Sequence, residues 1–391
     1  MNDQVKKYFL LLQLTSLFVY LGLYITFIDK ITPDYTIWLE PWYNTILQGG
    51  FRSLRHDFYN YSPPYMYLIA LATTIQAIPI ISIKLLSLPI IPLAGYYISR
   101  LAYLINPQPI VIWVGFSITL FVPTILINSA YWGQADIFYG TACLACVIHL
   151  LHKQPLAAML AFGVAIAFKA QAVLLTPFLC VMLIKRQIPL KFVIIPPAVL
   201  VLSVLPVVII GKPIQDVVLI YLRQADTYHS LCMNCTNLWS IFPTVDYRTG
   251  VVIGFLAALT AAIGYVVLMV MHLSVHDPRQ IFSAAMISVM VIPFFLPKMH
   301  DRYFYVAELL SVGIILIDWR ELFIPLLLQV STGNVYWQYL LRRGFLYPQF
   351  ESGIINIVVI GLLLQLFMKQ KRLKLIDENL PPQSALSDSS N

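Results

Sequence analysis

Apolar runs about 18 to 25 residues long recur along the whole chain, and each can cross roughly 30 Å of hydrocarbon as a helix. A membrane barrel needs alternating segments of about ten residues, and the sequence has none. Spanning helices satisfy their own backbone hydrogen bonds, so the expected fold class is all-α: a polytopic transmembrane helical bundle of about 11–13 membrane segments. Only 11% of the 391 residues are charged and 59% are hydrophobic, against about 25% charged in soluble domains. The bulk of this chain therefore faces lipid.

The expected spans are 8–28, 64–79, 82–104, 110–127, 137–151, 156–184, 190–210, 251–271, 281–296, 303–317, 321–337 and 353–368. The first follows Lys6 and Lys7 and lacks a small-residue cleavage site, so it reads as a retained span with a cytoplasmic N-terminus. Polar loops fill 29–63 and 211–250. Residues 1–368 form one membrane domain, and 369–391 read as a basic, then disordered, cytoplasmic tail. No internal repeat is visible, which counts against a transporter built on inverted repeats.

Working back from the basic tail alternates the loops. It puts 338–352, 298–302 and 211–250 outside, and 318–320, 272–280 and Lys185-Arg186 inside, as the positive-inside rule prefers. Segment 156–184 carries Lys169 and Gln171 at its middle. A hairpin of two short helices, with Lys169 at its tip in a cavity, avoids stranding that charge in lipid. If Trp132 to Asp136 is outside, segment 110–127 must likewise be partial, which its flanking Pro107, Pro109 and Pro123 allow. The net charge of +7 is scattered among membrane boundaries. Anionic lipid or a phosphate-bearing substrate is the expected partner, not nucleic acid. Cys232 and Cys235 in a polar loop can pair as a disulfide on the outer side.

Four polar clusters interrupt the apolar runs on the outer face, where such interruptions mark a site. They are the first loop with Asp34, Asn128 to Asp136, Phe168 to Gln171, and Pro297 to Tyr303. Asp34 suits either an N-cap for a membrane-surface helix from Tyr35 to Leu47 or a general base. That helix would bury Trp38, Trp42, Ile46 and Leu47, and Asp57 is a rival base. The aromatic stretch around Tyr61-Ser62-Pro63-Pro64 suits an interfacial belt or a sugar surface, its prolines opening a helix. Lys298, His300 and Arg302 bring three possible cations within five residues, fit to anchor in the interface or to grip a phosphate.

Together these clusters resemble the polytopic glycosyltransferases of the type C fold, most of all bacterial proteins similar to the second mannosyltransferase of glycolipid-anchor (GPI) synthesis. The matching segments are Asp34, Pro41-Trp42-Tyr43, Tyr61-Ser62-Pro63-Pro64, Trp132-Gly133-Gln134-Ala135-Asp136, Lys169-Ala170-Gln171 and Pro297-Lys298-Met299-His300-Asp301-Arg302-Tyr303. They cover about residues 8 to 317. Ser62 separates Tyr61 from the proline pair, and Asp301 stands where the family usually has Glu. The C-terminal spans match no family motif.

The resemblance implies transfer of a hexose, mannose first, from a polyprenyl-phosphate donor to a glycan or glycolipid acceptor on the non-cytoplasmic face of a bacterial plasma membrane. It makes Asp34 the base. His300, Arg302 and Lys169 stabilise the leaving phosphate. Tyr61, Trp132, Gln134, Asp136, Gln171 and Asp301 are substrate-binding candidates. Direct displacement inverts the sugar carbon, and this scheme requires no metal or other cofactor. The competing readings are a lipid-linked oligosaccharide polymerase or ligase and a transporter or flippase.

Overall fold

The computed structural model describes residues 3–379, save Gln76 and Thr227. It is a helical protein whose described strands are two pairs of residues, Cys232–Met233 and Met299–His300, joined in parallel. Six helices are long and apolar enough to cross a membrane: Lys7–Phe27, Pro79–Ile105, Leu190–Ile209, Tyr247–His272, Pro278–Phe295 and Gln349–Arg372. A seventh span would be the pair Pro109–Phe121 and Pro123–Trp132, bent by 50°. The bend falls at Pro123, which cannot donate a helix hydrogen bond, and it makes 110–127 a broken segment as expected.

These elements sort into a core and a lipid-facing shell. Helix Asp136–Leu151 is the centre, with every residue buried except His149 and Leu151. It packs on Pro155–Phe168, Ile90–Ile105 and Tyr305–Ile317. Helices Leu190–Ile209 and Tyr247–His272 bury only 11% and 17% of their most apolar windows. Their exposed Leu, Ile and Val side chains are unsuited to water and suited to acyl chains.

Several expected boundaries move. Segment 64–79 is not one span: its helix is Pro63–Ala72. There the Thr73 and Thr74 hydroxyls bond the carbonyls of Ala70 and Leu71, competing with further helical turns. The next helix starts at Pro79. Segment 156–184 breaks where the buried lysine falls. Helix Pro155–Phe168 ends at Lys169, whose backbone is extended, and Ala170 opens the next turn. The basic residues 369–379 do not leave the bundle as loose chain but continue the helix Gln349–Asn379. The Ser/Pro-rich remainder, 380–391, lies outside the described residues.

The last helix also marks the two ends of the bundle. Near its start Gln349 donates to the Cys235 carbonyl. Near its end Lys369 pairs with Asp318 and Glu321, and Lys371 meets His272. Loops 211–250, 298–302 and 338–352 therefore gather at one end, and 272–280 and 318–320 at the other, as the alternation of loops required.

Candidate active site

The site is built around two wide, π-type turns, a geometry that recurs at functional sites. Residues Tyr35–Leu39 form one, and Glu40–Gly49 continues it as an α-helix. The wide turn shifts the helix phase. The buried face is Tyr35, Leu39, Trp42, Tyr43 and Ile46, while Leu47 is exposed and Trp38 half-buried. Asp34 precedes this turn, yet its side chain caps nothing. The carboxylate points instead into a cavity of ≈ 430 Å³.

The second wide turn, Ile127–Trp132, ends on Gly133 in the left-handed region at φ 80°. Both Gly133 and Gln134 return their N–H groups to the Asn128 carbonyl, a helix-ending pattern that favours glycine. Lys84, fully buried, fixes this turn from below. Its ammonium donates to the carbonyls of Phe27, Lys30 and Tyr131 at 3.2, 2.7 and 2.7 Å, matching its three donors. Thr32 adds a bond to the Trp132 carbonyl.

Asp34 is thereby placed against the indole and amide of the next cluster. Its Oδ2 accepts from Trp132 Nε1 at 3.0 Å and from Gln134 Nε2. Arg302 Nη1 lies 3.3 Å from the same oxygen. Oδ1 accepts from Tyr339. The Arg302 guanidinium lies over the Trp132 ring, 4.7 Å from its centroid, a cation–π stack in a desolvated place.

Behind this layer sits Asp136, at the first turn of the central helix, where the helix dipole favours an anion. It does not line the cavity, being 1% exposed. It accepts from Lys169 and, at 3.0 Å, from Asn128. Arg302 Nε lies 3.7 Å from Asp136 and 3.5 Å from Asp301. Three carboxylates, Asp34, Asp136 and Asp301, thus surround two cations, Lys169 and Arg302. Burial pushes the Asp301 carboxyl up to about 7, with Arg302 pulling the other way. Burial and the Arg302 charge hold the His300 imidazole down at about 4. His300 is therefore a neutral hydrogen-bonding group at pH 7, which leaves Arg302 and Lys169 as the cations.

Tyr61, Gln171, His300 and Asp301 complete the expected set on the cavity wall. Tyr61 stacks near Trp42 at 5.3 Å and reaches Gln134 at 3.5 Å, with the Lys169 ammonium 5.6 Å from its ring centre. Trp38, Trp42 and Tyr61 give one side an aromatic surface of the kind that packs on a sugar ring. Strand pairing sets Met233 beside His300, so the second loop supplies the opposite rim through Tyr228, Met233 and Asn234. Cys232 and Cys235 are bonded to each other.

Two other candidates lie elsewhere. Asp57 is 69% exposed and faces Lys212 and Arg223 away from the cavity. Lys298 does not line it either and lies by the Tyr247 ring. Tyr339 was not anticipated. It stands in the last turn of Phe323–Leu341, where an isolated tyrosine reads as an interfacial residue. Among known proteins, no family model and no curated sequence matches the chain.

Proposed function

We propose that this chain is an integral-membrane inverting glycosyltransferase. It moves a hexose, mannose first, from a polyprenyl-phosphate donor to a glycan or glycolipid acceptor on the non-cytoplasmic face of a bacterial plasma membrane. One observation carries the proposal: the Asp34 carboxylate and a buried cation pair, Arg302 and Lys169, border one aromatic-walled cavity. Four widely separated segments build that constellation, and it matches what displacement at a phosphate-linked sugar requires. The resemblance to type C glycosyltransferases rests on the same four segments.

The donor phosphate sits at Arg302 and Lys169, which stabilise the charge that grows as the bond breaks. The acceptor hydroxyl attacks the sugar carbon from the face opposite the phosphate. Its oxygen forms the new bond, its proton passes to Asp34, and the electron pair of the broken bond leaves on the phosphate. The sugar carbon inverts. Trp132, Gln134 and Tyr339 hold Asp34 in place. A weak base is sufficient here, because an oxocarbenium-like transition state acidifies the attacking hydroxyl late in the reaction.

Incubation of the purified protein with labelled polyprenyl-phosphate sugars, beside diphosphate-linked glycans, tests the proposal. Consumption of a monophosphate donor supports it. Consumption of diphosphate-linked glycans alone would move the protein to the polymerase or ligase class.

A further inference from the structure

A second cavity of ≈ 430 Å³ is lined by Pro33, Asn234, Gln338, Tyr339, Arg342 and Arg343. It shares Asn234 and Tyr339 with the first cavity, and its Pro33 adjoins Asp34. The Tyr339 hydroxyl bonds Asp34 Oδ1, whereas Arg302 reaches Oδ2. Tyr339 and Arg302 thus approach the carboxylate by different oxygens. Arg342 and Arg343 follow Tyr339 by three and four residues, just past the end of its helix at Leu341. The wall between is tied by Asn234 donating to Gln338 at 2.9 Å.

Two observations mark the arginine pair. Both side chains are exposed, and no carboxylate among the described residues pairs with either. Arg342 also ends its helix in the left-handed region at φ 51°, where glycine is usual and another residue costs about 1 kcal/mol. The pair lies at the cavity end of the bundle, opposite Lys369 and Lys371. Membrane proteins concentrate Lys and Arg at one end, so a pair at the other runs against that bias. Interfacial anchoring accounts for the charge but not for a cavity shared with the site.

We infer that Arg342 and Arg343 form an acceptor subsite for a phosphate-bearing, anionic head group, whose hydroxyl is presented to Asp34. The acceptor role rests on the transferase reading; the anion site rests on the cavity alone. The planar guanidinium fork suits phosphate oxygens better than an ammonium does.

The full-length protein in phosphatidylcholine nanodiscs is titrated with fluorescent phosphatidylglycerol and with phosphatidylcholine carrying the same dye. The expected result is about tenfold tighter binding of the anionic probe. The preference should be lost in R342Q/R343Q and partly kept in R342K/R343K, which guards against misfolding as the cause. Displacement of the probe by inorganic phosphate identifies phosphate itself as the recognised group; resistance to it identifies the whole lipid head. An unchanged preference in R342Q/R343Q, or none in the wild type, overturns the subsite. Arginine-dependent binding without consumption of any polyprenyl-phosphate sugar removes the transferase reading alone. Donor consumption with acceptor KM unmoved by R342Q/R343Q removes the acceptor role alone.

Discussion

Arg302 Nη1 and Asp34 Oδ2 lie 3.3 Å apart although 268 residues separate them in the chain. The same guanidinium stacks on Trp132, which donates to that oxygen. One side chain therefore joins the first loop, the tryptophan turn and the last motif, and it also faces Asp136 and Asp301.

Arg302→Lys keeps the charge but not the fork that spans three carboxylates. Donor turnover should fall about 100-fold, the usual scale for removing one well-placed electrostatic contact. The check is kcat/KM for the polyprenyl-phosphate sugar, with monodispersity in detergent as the folding control. A lysine variant as active as the wild type removes Arg302 from charge stabilisation.

Gly133 holds the tryptophan turn at φ 80°, and a Cβ there would lie 3.3 Å from Lys84 Cε. Gly133→Ala should cost about 1–2 kcal/mol from the left-handed backbone alone. It should also displace Trp132 and Gln134 from Asp34. Thermal melting in detergent and the donor-turnover assay should both decline. A melting temperature equal to the wild type would show that the turn tolerates a side chain.

Asp301 gives a pH dependence with a definite sign. Its carboxyl is raised from 3.8 to about 7 by burial. Its contribution to folding is therefore complete below about pH 4 and is lost as pH rises through about 7. Ionised Asp301 also competes with a donor phosphate for Arg302, so kcat/KM should fall through the same range. Asp301→Asn should remove the loss of stability between about pH 4 and pH 7 and the fall in kcat/KM around pH 7. His300, held down from 6.5 to about 4 by burial, adds stability as pH rises between those values, opposite in sign to Asp301, and puts no step into kcat/KM near pH 7. A wild-type slope that persists in Asp301→Asn assigns it to another group.

The polar site residues were legible because they break apolar runs, where an uncompensated polar group is costly. Asp34, Trp132, Gln134, Lys169 and Arg302 all stood out in this way, and they meet at one cavity. Tyr339 did not, since nothing in a helix-end tyrosine reveals that Asp34 lies against it. Lys84 was hidden for a related reason. Its partners are three backbone carbonyls from other segments, and carbonyls leave no mark in a sequence. The apolar face of the first-loop helix was misplaced toward Leu47 because a regular 3.6-residue period misses the extra residue of a wide turn. Hydropathy also overran the helix end at Ala72, because threonines that terminate a helix are still apolar enough to extend a run.

Asp34→Asn is the most direct test of the proposed chemistry. The amide keeps the size of the side chain and can still accept from Trp132 or Tyr339, but it cannot take a proton from the acceptor. Sugar transfer from a labelled polyprenyl-phosphate donor should drop about 10²- to 10⁴-fold, the range for loss of a general base. Donor binding should remain within about threefold of the wild type, since Arg302 and Lys169 are intact. Transfer at the wild-type rate in Asp34→Asn would contradict the role of Asp34 as the base.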